Sequence, residues 1–197
     1  IKWEYNPDFD ENKNFSGSKT KIAAIFLSNC RARNKRLEYI NEMKKYIEVD
    51  VYGRCGIHCK LPNATHVTNR YTDCDRKDLS YHYFFYLSFE NSLCRDYATE
   101  KFFDTLRYDL VPVVMGLGSY DFWIPRSGYI DVRDFKTVKD LTDYLIYLSK
   151  NSTAYNEYFK WKKYIIFENM RKRNLCDMCI KLNLEEHFGM KEKILHR

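Results

Sequence analysis

Four short apolar runs, each separated from the next by enough chain for a helix, limit what this sequence can fold into. They are residues 22–27 (IAAIFL), 49–52 (VDVY), 83–89 (YFFYLSF) and 111–115 (VPVVM). A strand covered on both faces reads as an unbroken apolar run, whereas a strand with one wet face alternates. Between the first two runs, Leu37, Ile40, Met43 and Ile47 recur near helical spacing. Strand, helix and strand in this order make a βαβ unit.

The same grammar continues along the chain. Residues 53–80, rich in Cys, Asn, Asp and Thr, read as an irregular excursion. After the run at 83–89, Asp96 is placed to cap a helix that carries Ala98, Phe102 and Leu106 on one face. Pro112 stands at the start of the fourth run, where it costs no ladder bond, and Gly116 and Gly118 end that run. Residues 127–132 suit a short fifth strand. Residues 137–150 suit an amphipathic helix through Val138, Leu141, Leu145 and Leu148, and the chain from Tyr155 onward reads as mostly helical. The whole predicts an α/β domain, a Rossmann-like and mainly parallel sheet flanked by helices. Residues 1–20 are polar and aromatic without a period and read as a linker or edge segment. Residues 21–180 form the expected domain and 181–197 a tail. There is no internal repeat and no low-complexity tract.

The length of 197 residues suits one domain. At 45% hydrophobic and 17% aromatic residues the chain is not of a disordered composition. No stretch approaches the roughly 20 apolar residues of a membrane span. The first residue is Ile, and the natural N-terminus is expected to lie upstream. The net charge of +6 fits ordinary surface chemistry or an anionic ligand such as a nucleotide. The densest basic stretches, around Lys160, Lys162 and Lys163 and then Arg171, Lys172 and Arg173, fall in a Tyr- and Trp-rich region without a nucleic-acid-binding motif.

Seven cysteines are many for a cytosolic chain of this size, and three sequons begin at Asn14, Asn63 and Asn151. Together they favour a secretory compartment. Cys55, His58, Cys59 and Cys74 have spacings that fit zinc or disulfides, as do Cys176 and Cys179. The compartment favours disulfides, with Cys55, Cys59, Cys176 and Cys179 as candidates, pairing open and one thiol left over. Cys176-Asp177-Met178-Cys179 lies too near the C-terminus for a thioredoxin-like motif. Asp73-Cys74-Asp75 is a DxD, a pattern that holds a metal in some glycosyltransferases, but it lies in a polar excursion and reads as a turn. The five histidines have no triad-like or metal-like companions.

In a parallel sheet, ligands bind at the carboxyl ends of the strands. Two crossings stand there. In the first, Ser28 and Asn29 end a strand, and Arg31, Arg33, Lys35 and Arg36 surround the start of a helix. This suits a pyrophosphate, because guanidinium bonds phosphate oxygens bidentately, and equally a solvated helix start. In the second, Glu90, Asn91 and Ser92 follow a strand, and Tyr97, Glu100 and Lys101 share one face if the helix begins at Asp96. A carboxylate there can hold sugar hydroxyls and an ammonium a phosphate; the plain alternative is a cap with an exposed charge pair. No Gly-x-Gly-x-x-Gly or Walker loop is present.

The run FENSLCRDYATEKFFDTLRYDLVPVVMG closely resembles the donor-binding signature of the α1,3/4-fucosyltransferases, glycosyltransferase family 10. SNCRARNKRLEYINEMKKYIEVDVYGRCG resembles the preceding block and leans towards the core type, which acts on the innermost GlcNAc of N-glycans. The likeness reappears at residues 124–135, at 156–161 and in the terminal Cys-x-x-Cys, and covers roughly residues 20 to 180. The resemblance implies the C-terminal, GDP-fucose-binding half of a GT-B glycosyltransferase that transfers fucose with inversion. It implies Arg36 and Lys101 on the pyrophosphate, Glu100 on the ribose, Tyr97 and Asn91 on the nucleoside, Glu90 towards the fucose, and Ser28 and Asn29 beside the donor. It implies no required metal or other cofactor, a divalent cation at most stimulating, and no catalytic base in this chain, since the family keeps its base in an N-terminal acceptor domain. It also implies a lumenal domain of a type II Golgi membrane protein, with a glycoprotein N-glycan as acceptor and no nucleic-acid partner. A truncated or inactive relative that binds GDP-fucose without transfer is the other reading. One departure is Gly128, where the family usually has Ser before its aromatic residue.

Overall fold

Five parallel strands form one sheet in a computed structural model that describes residues 1–61 and 73–167. They are β1 (Lys21–Phe26), β2 (Val49–Tyr52), β3 (Tyr83–Phe89), β4 (Val111–Met115) and β5 (Ile130–Asp131), lying side by side in the order β2-β1-β3-β4-β5. Ala24 faces Asp50 on one side and Tyr86 on the other; Ser88 faces Val114, and Val114 faces Asp131. The four apolar runs are thus four adjacent strands. β3 sits between β1 and β4 and is buried along its whole length, which is why it shows no alternation.

The helices are α1 (Arg36–Met43), α2 (Arg76–Ser80), α3 (Glu100–Leu106), α4 (Val138–Lys150) and α5 (Ser152–Glu157). Ile40 and Met43 of α1 join Leu141, Leu145 and Leu148 of α4, and Ile25, Phe85 and Leu87 of the sheet, in one apolar cluster. Leu79 of α2 joins Ala24, Tyr83 and Tyr86 in a second. Each such fully buried side chain contributes about 1.5–3 kcal/mol relative to exposure. A capping box fixes the start of α4: Thr137 Oγ1 accepts from the Asp140 amide at 3.1 Å, and Asp140 Oδ2 accepts from the Thr137 amide at 3.0 Å.

The helix after β3 begins later than the sequence predicts. Asp96 is not its cap. It has a left-handed backbone (φ 58°), its amide donates to the Leu117 carbonyl at 2.9 Å, and its carboxylate accepts from Ser119 Oγ at 2.5 Å. Aspartate tolerates this conformation better than most residues. Thr99 caps α3 instead. The expected strand at 127–132 shortens to Ile130–Asp131 after a 3-10 turn over Arg126–Gly128. A Cβ on Gly128 would lie 2.7 Å from Trp161 Nε1 and 2.8 Å from Ile124 Cδ1, so this chain packs the ring and the isoleucine where a serine would stand. From Tyr155 to Phe167, the described part of the stretch expected to be mostly helical, α5 stops at Glu157, a 3-10 turn covers Lys160–Tyr164, and Ile165–Ile166 is extended; the rest lies outside the described residues.

The compact unit that holds the sheet runs from Pro7 to Lys163. Phe15 anchors the early segment: it is buried and stacks on Phe159 with ring centroids 4.2 Å apart. In a separate unit, Lys2–Trp3 pairs antiparallel with Ile165–Ile166. Cys55 and Cys59 are both disulfide-bonded, but to Cys30 and Cys74 respectively, which removes their sulfurs from any zinc site. Among the described residues Cys94 is the free, exposed cysteine. Cys176 and Cys179 lie outside the described residues, as does Asn63. Of the other sequon asparagines, Asn14 is exposed, while Asn151 is half-buried, caps α5 and donates to Tyr147 Oη at 3.0 Å.

Candidate functional site

The chain leaves β1 towards β2 on one side and reaches β3 on the other, so the strand order reverses between β1 and β3. A crevice opens beyond the carboxyl ends of strands at such a point, and ligands of open α/β sheets bind there. Both motifs singled out in the sequence end in this place. Asn29, after β1, donates through Nδ2 to Asn91 Oδ1, after β3, at 2.8 Å. Asn34 Nδ2 donates to the Glu90 carbonyl at 2.5 Å. Arg36, in the first turn of α1, reaches across the gap. Its guanidinium donates to the Phe89 carbonyl at 2.9 Å, to Asn91 Oδ1 at 3.1 Å and to the Asn29 carbonyl at 3.3 Å.

Arg36 is therefore a brace. It is only 4% exposed, and its two terminal nitrogens bond the two strand ends, while Nε is buried without a hydrogen-bond partner. Burial lowers its pKa, and the Glu90 carboxylate opposes that shift. The described bonds of its terminal nitrogens all go to protein acceptors. Arg31, Arg33 and Lys35, its neighbours in the basic run, are exposed.

Glu90 is also enclosed. Its carboxylate accepts from the Thr99 amide at 2.8 Å and from Thr99 Oγ1 at 2.8 and 3.0 Å, and it lies 3.4 Å from Lys101 Nζ. Lys101 Nζ also donates to Thr99 Oγ1 at 2.9 Å and to Glu100 Oε1 at 3.1 Å. The ammonium, 19% exposed, is thus fixed in position by Glu90, Thr99 and Glu100. Gly116 at the end of β4 makes room for this packing: a Cβ there would lie 2.5 Å from Tyr120 Oη and 3.3 Å from Glu90 Cγ. Glu100 is exposed, and its carboxyl sits below the usual carboxylate range. Partial burial pushes it up, but the Lys101 hydrogen bond and charge outweigh that.

The structure thus divides the expected site residues into two groups. Ser28, Asn29, Asn91, Tyr97, Glu100 and Lys101 reach the surface, while Arg36 and Glu90 do not. Tyr97 lies in the loop before α3, so it does not share a helix face with Glu100 and Lys101. Two residues without an assigned role, Thr99 and Asn34, hold the framework. Thr99 carried a legible signal, a threonine directly before a helical Glu-Lys pair. Asn34 carried none, because its partner is 56 residues away. Thr99→Val removes the cap of α3 and a hydroxyl that bonds both Glu90 and Lys101. Chemical denaturation is expected to show a loss of about 1–2 kcal/mol. Thr99→Ser is expected to retain most of the stability.

Asp75, the second acid of the DxD, caps α2 with its side chain, and Asp73 pairs with His58 at 2.9 Å, in keeping with a turn. Among the described residues no group of three or more His, Cys, Asp or Glu side chains is placed to hold a metal ion. No described helix is long and apolar enough to cross a membrane.

Fold and site together define an α/β domain with a charged, hydrogen-bonded crevice at its switch point, the class to which nucleotide-binding domains belong. Residues 16–195 match the family described as glycosyltransferase family 10 (fucosyltransferase) C-term. The chain is 42% identical over 192 residues to glycoprotein 3-alpha-L-fucosyltransferase A of Drosophila melanogaster, covering 94% of this chain and 36% of the relative. It is 37% identical over 152 residues to alpha-(1,3)-fucosyltransferase fut-1 of Caenorhabditis elegans, covering 76% and 33%. A crystal structure of an alpha1,3-fucosyltransferase with GDP-fucose shares the fold with a TM-score of 0.62 at 21% identity, covering 95% of this chain and 52% of that one. The chain belongs to glycosyltransferase family 10, as part of its C-terminal domain, the C-terminal half of a GT-B fold. It spans about a third of the length of these curated relatives.

Proposed function

We propose that this chain is the donor-binding part of an enzyme that transfers fucose from GDP-fucose, with inversion, to GlcNAc of a glycoprotein N-glycan in α1,3 linkage. The observation that carries the reading is the placement of Lys101 among Glu90, Thr99 and Glu100 at the switch point. A positive charge held in place beforehand stabilises the negative charge that grows on the departing diphosphate, without reorganisation during the reaction. Glu100, exposed and held ionised, is suited to accept from the two ribose hydroxyls. Asn91 and Tyr97 border the nucleoside. Arg36 and Glu90 act from beneath: the first joins the strand ends, the second orients Lys101. With Lys101 supplying the positive charge, no metal is required, and a divalent cation would at most stimulate.

The acceptor hydroxyl needs a base. The two acids of this site are already engaged with Lys101, and the proposal assigns the base to the acceptor domain of the whole enzyme. The family relationship, the paired cysteines and the exposed Asn14 sequon support a place in the Golgi lumen, on a type II membrane protein. The experiment compares GDP with 2′,3′-dideoxy-GDP by calorimetry. The unmodified chain is expected to prefer GDP by about tenfold or more, the value of hydrogen bonds to a charged acceptor, and Glu100→Ala to erase the preference. Equal binding of the two nucleotides by the unmodified chain would remove Glu100 from the ribose.

A further inference from the structure

Helix α4 ends at Lys150, and the next residue opens the sequon Asn151-Ser152-Thr153. The Asn151 side chain is used at both of its polar atoms. Oδ1 accepts from the Ala154 amide at 3.0 Å and caps α5. Nδ2 donates to Tyr147 Oη, one turn back on α4, at 3.0 Å. This second bond lies at the surface, and Tyr147, Ser152 and Thr153 are all exposed.

Tyr147 is a braced ring that is half open to solvent. It is 51% exposed and stacks on Tyr144, with centroids 6.1 Å apart and planes 27° apart. Tyr144 is held in turn: its ring lies 5.6 Å from that of Phe135, and its hydroxyl is 2.8 Å from Tyr158 Oη. An aromatic face is electron-rich, and one face of an N-acetylglucosamine ring presents C–H groups of positive character, so the two attract on contact. A sugar joined to Nδ2 starts within hydrogen-bond distance of the hydroxyl end of this ring. The cap depends on Oδ1, so replacing one hydrogen on Nδ2 leaves it intact.

We infer that Asn151 carries an N-linked glycan whose first N-acetylglucosamine packs on Tyr147. In the transfer, Nδ2 forms a bond to the anomeric carbon of an oligosaccharide supplied as a lipid-linked diphosphate. The bond from that carbon to the phosphate oxygen breaks, the lipid diphosphate leaves, and one Nδ2 proton passes to solvent. This rests on the lumenal reading above and goes beyond it, because it chooses an occupied sequon and names the surface on which its sugar lies. Leu141, Leu145 and Leu148 turn the opposite side of α4 into the core, so the glycan keeps the Tyr147 side in solvent in the whole enzyme.

The test secretes the full chain from insect cells, with Tyr147, Tyr147→Ala or Tyr147→Phe, each with and without Thr153→Ala. Thr153→Ala deletes the sequon and leaves both Asn151 bonds in place. Peptide mass spectrometry after enzymatic glycan release in heavy-oxygen water reads occupancy at each asparagine, and thermal melting reads stability. Any effect of Thr153→Ala on α5 itself is common to all three backgrounds and cancels in the comparison. Asn151 is expected to be occupied. The sequon is expected to raise the melting temperature by about 2–4 °C with Tyr147 or Tyr147→Phe, which keeps the ring, and to give no such gain with Tyr147→Ala. Asn14 occupied with Asn151 bare would overturn the inference and leave the lumenal reading standing. Neither asparagine occupied would overturn both. Asn151 occupied with an equal gain in Tyr147→Ala, or with no gain at all, would overturn the packing of the sugar on Tyr147.

Discussion

Arg36→Ala is expected to destabilise the domain by about 3 kcal/mol, because it empties the site of a buried side chain that joins the two strand ends and leaves the buried Phe89 carbonyl without that donor. The Phe89 and Asn29 carbonyls and Asn91 Oδ1 all lose their guanidinium donor, and they belong to the ends of β1 and β3 on either side of the crevice. In a domain of this size the melting temperature should fall by about 6–12 °C. Arg36→Lys should not restore it, since one ammonium cannot reproduce the planar fork that reaches three acceptors. GDP binding should weaken too, but as a consequence of the loosened strand ends, and guanosine binding should weaken with it. A variant that melts like the unmodified chain yet loses GDP would show that the guanidinium faces the ligand instead.

Lys101→Ala is expected to act the other way round. Lys101 Nζ is one of several partners of Glu90, whose carboxylate keeps the Thr99 amide and hydroxyl after the substitution. The stability loss should therefore be about 1 kcal/mol. The loss of GDP affinity should be larger, about 10- to 100-fold, because a positioned charge opposite a diphosphate is removed. Guanosine should bind as before. Calorimetry and thermal melting on the same samples separate the two arginine and lysine roles. The pair of variants should therefore differ in which quantity falls most: stability for Arg36, diphosphate affinity for Lys101.

These contrasting roles were only partly legible in the sequence. The sheet was legible because burial on both faces removes alternation, which is a local property of runs such as 83–89. Parallel strands bring their carboxyl ends to one edge, which puts both crossings there, but that β1 lies beside β3 and Asn29 meets Asn91 was not legible. Which charged side chain points outward was not legible. Arg31 and Arg36 sit in one basic run, and only the register of α1 against β3 turns Arg36 inward and leaves Arg31 in solvent. Asp96 looked like a cap because a helix signal follows it. Its left-handed turn depends on the Leu117 carbonyl and Ser119, which lie across the sheet edge. Cysteine partners were equally hidden: Cys30 pairs with Cys55 across 25 residues, and spacing alone does not choose among pairings.

Hydrogen exchange of the chain with and without saturating GDP tests the central claim, that the switch point between β1 and β3 is the nucleotide site. Slowed exchange is predicted for residues 28–36 and 90–101, with α2 and α4 unchanged. Protection confined to α2 or α4, or no protection at saturating GDP, would contradict the account.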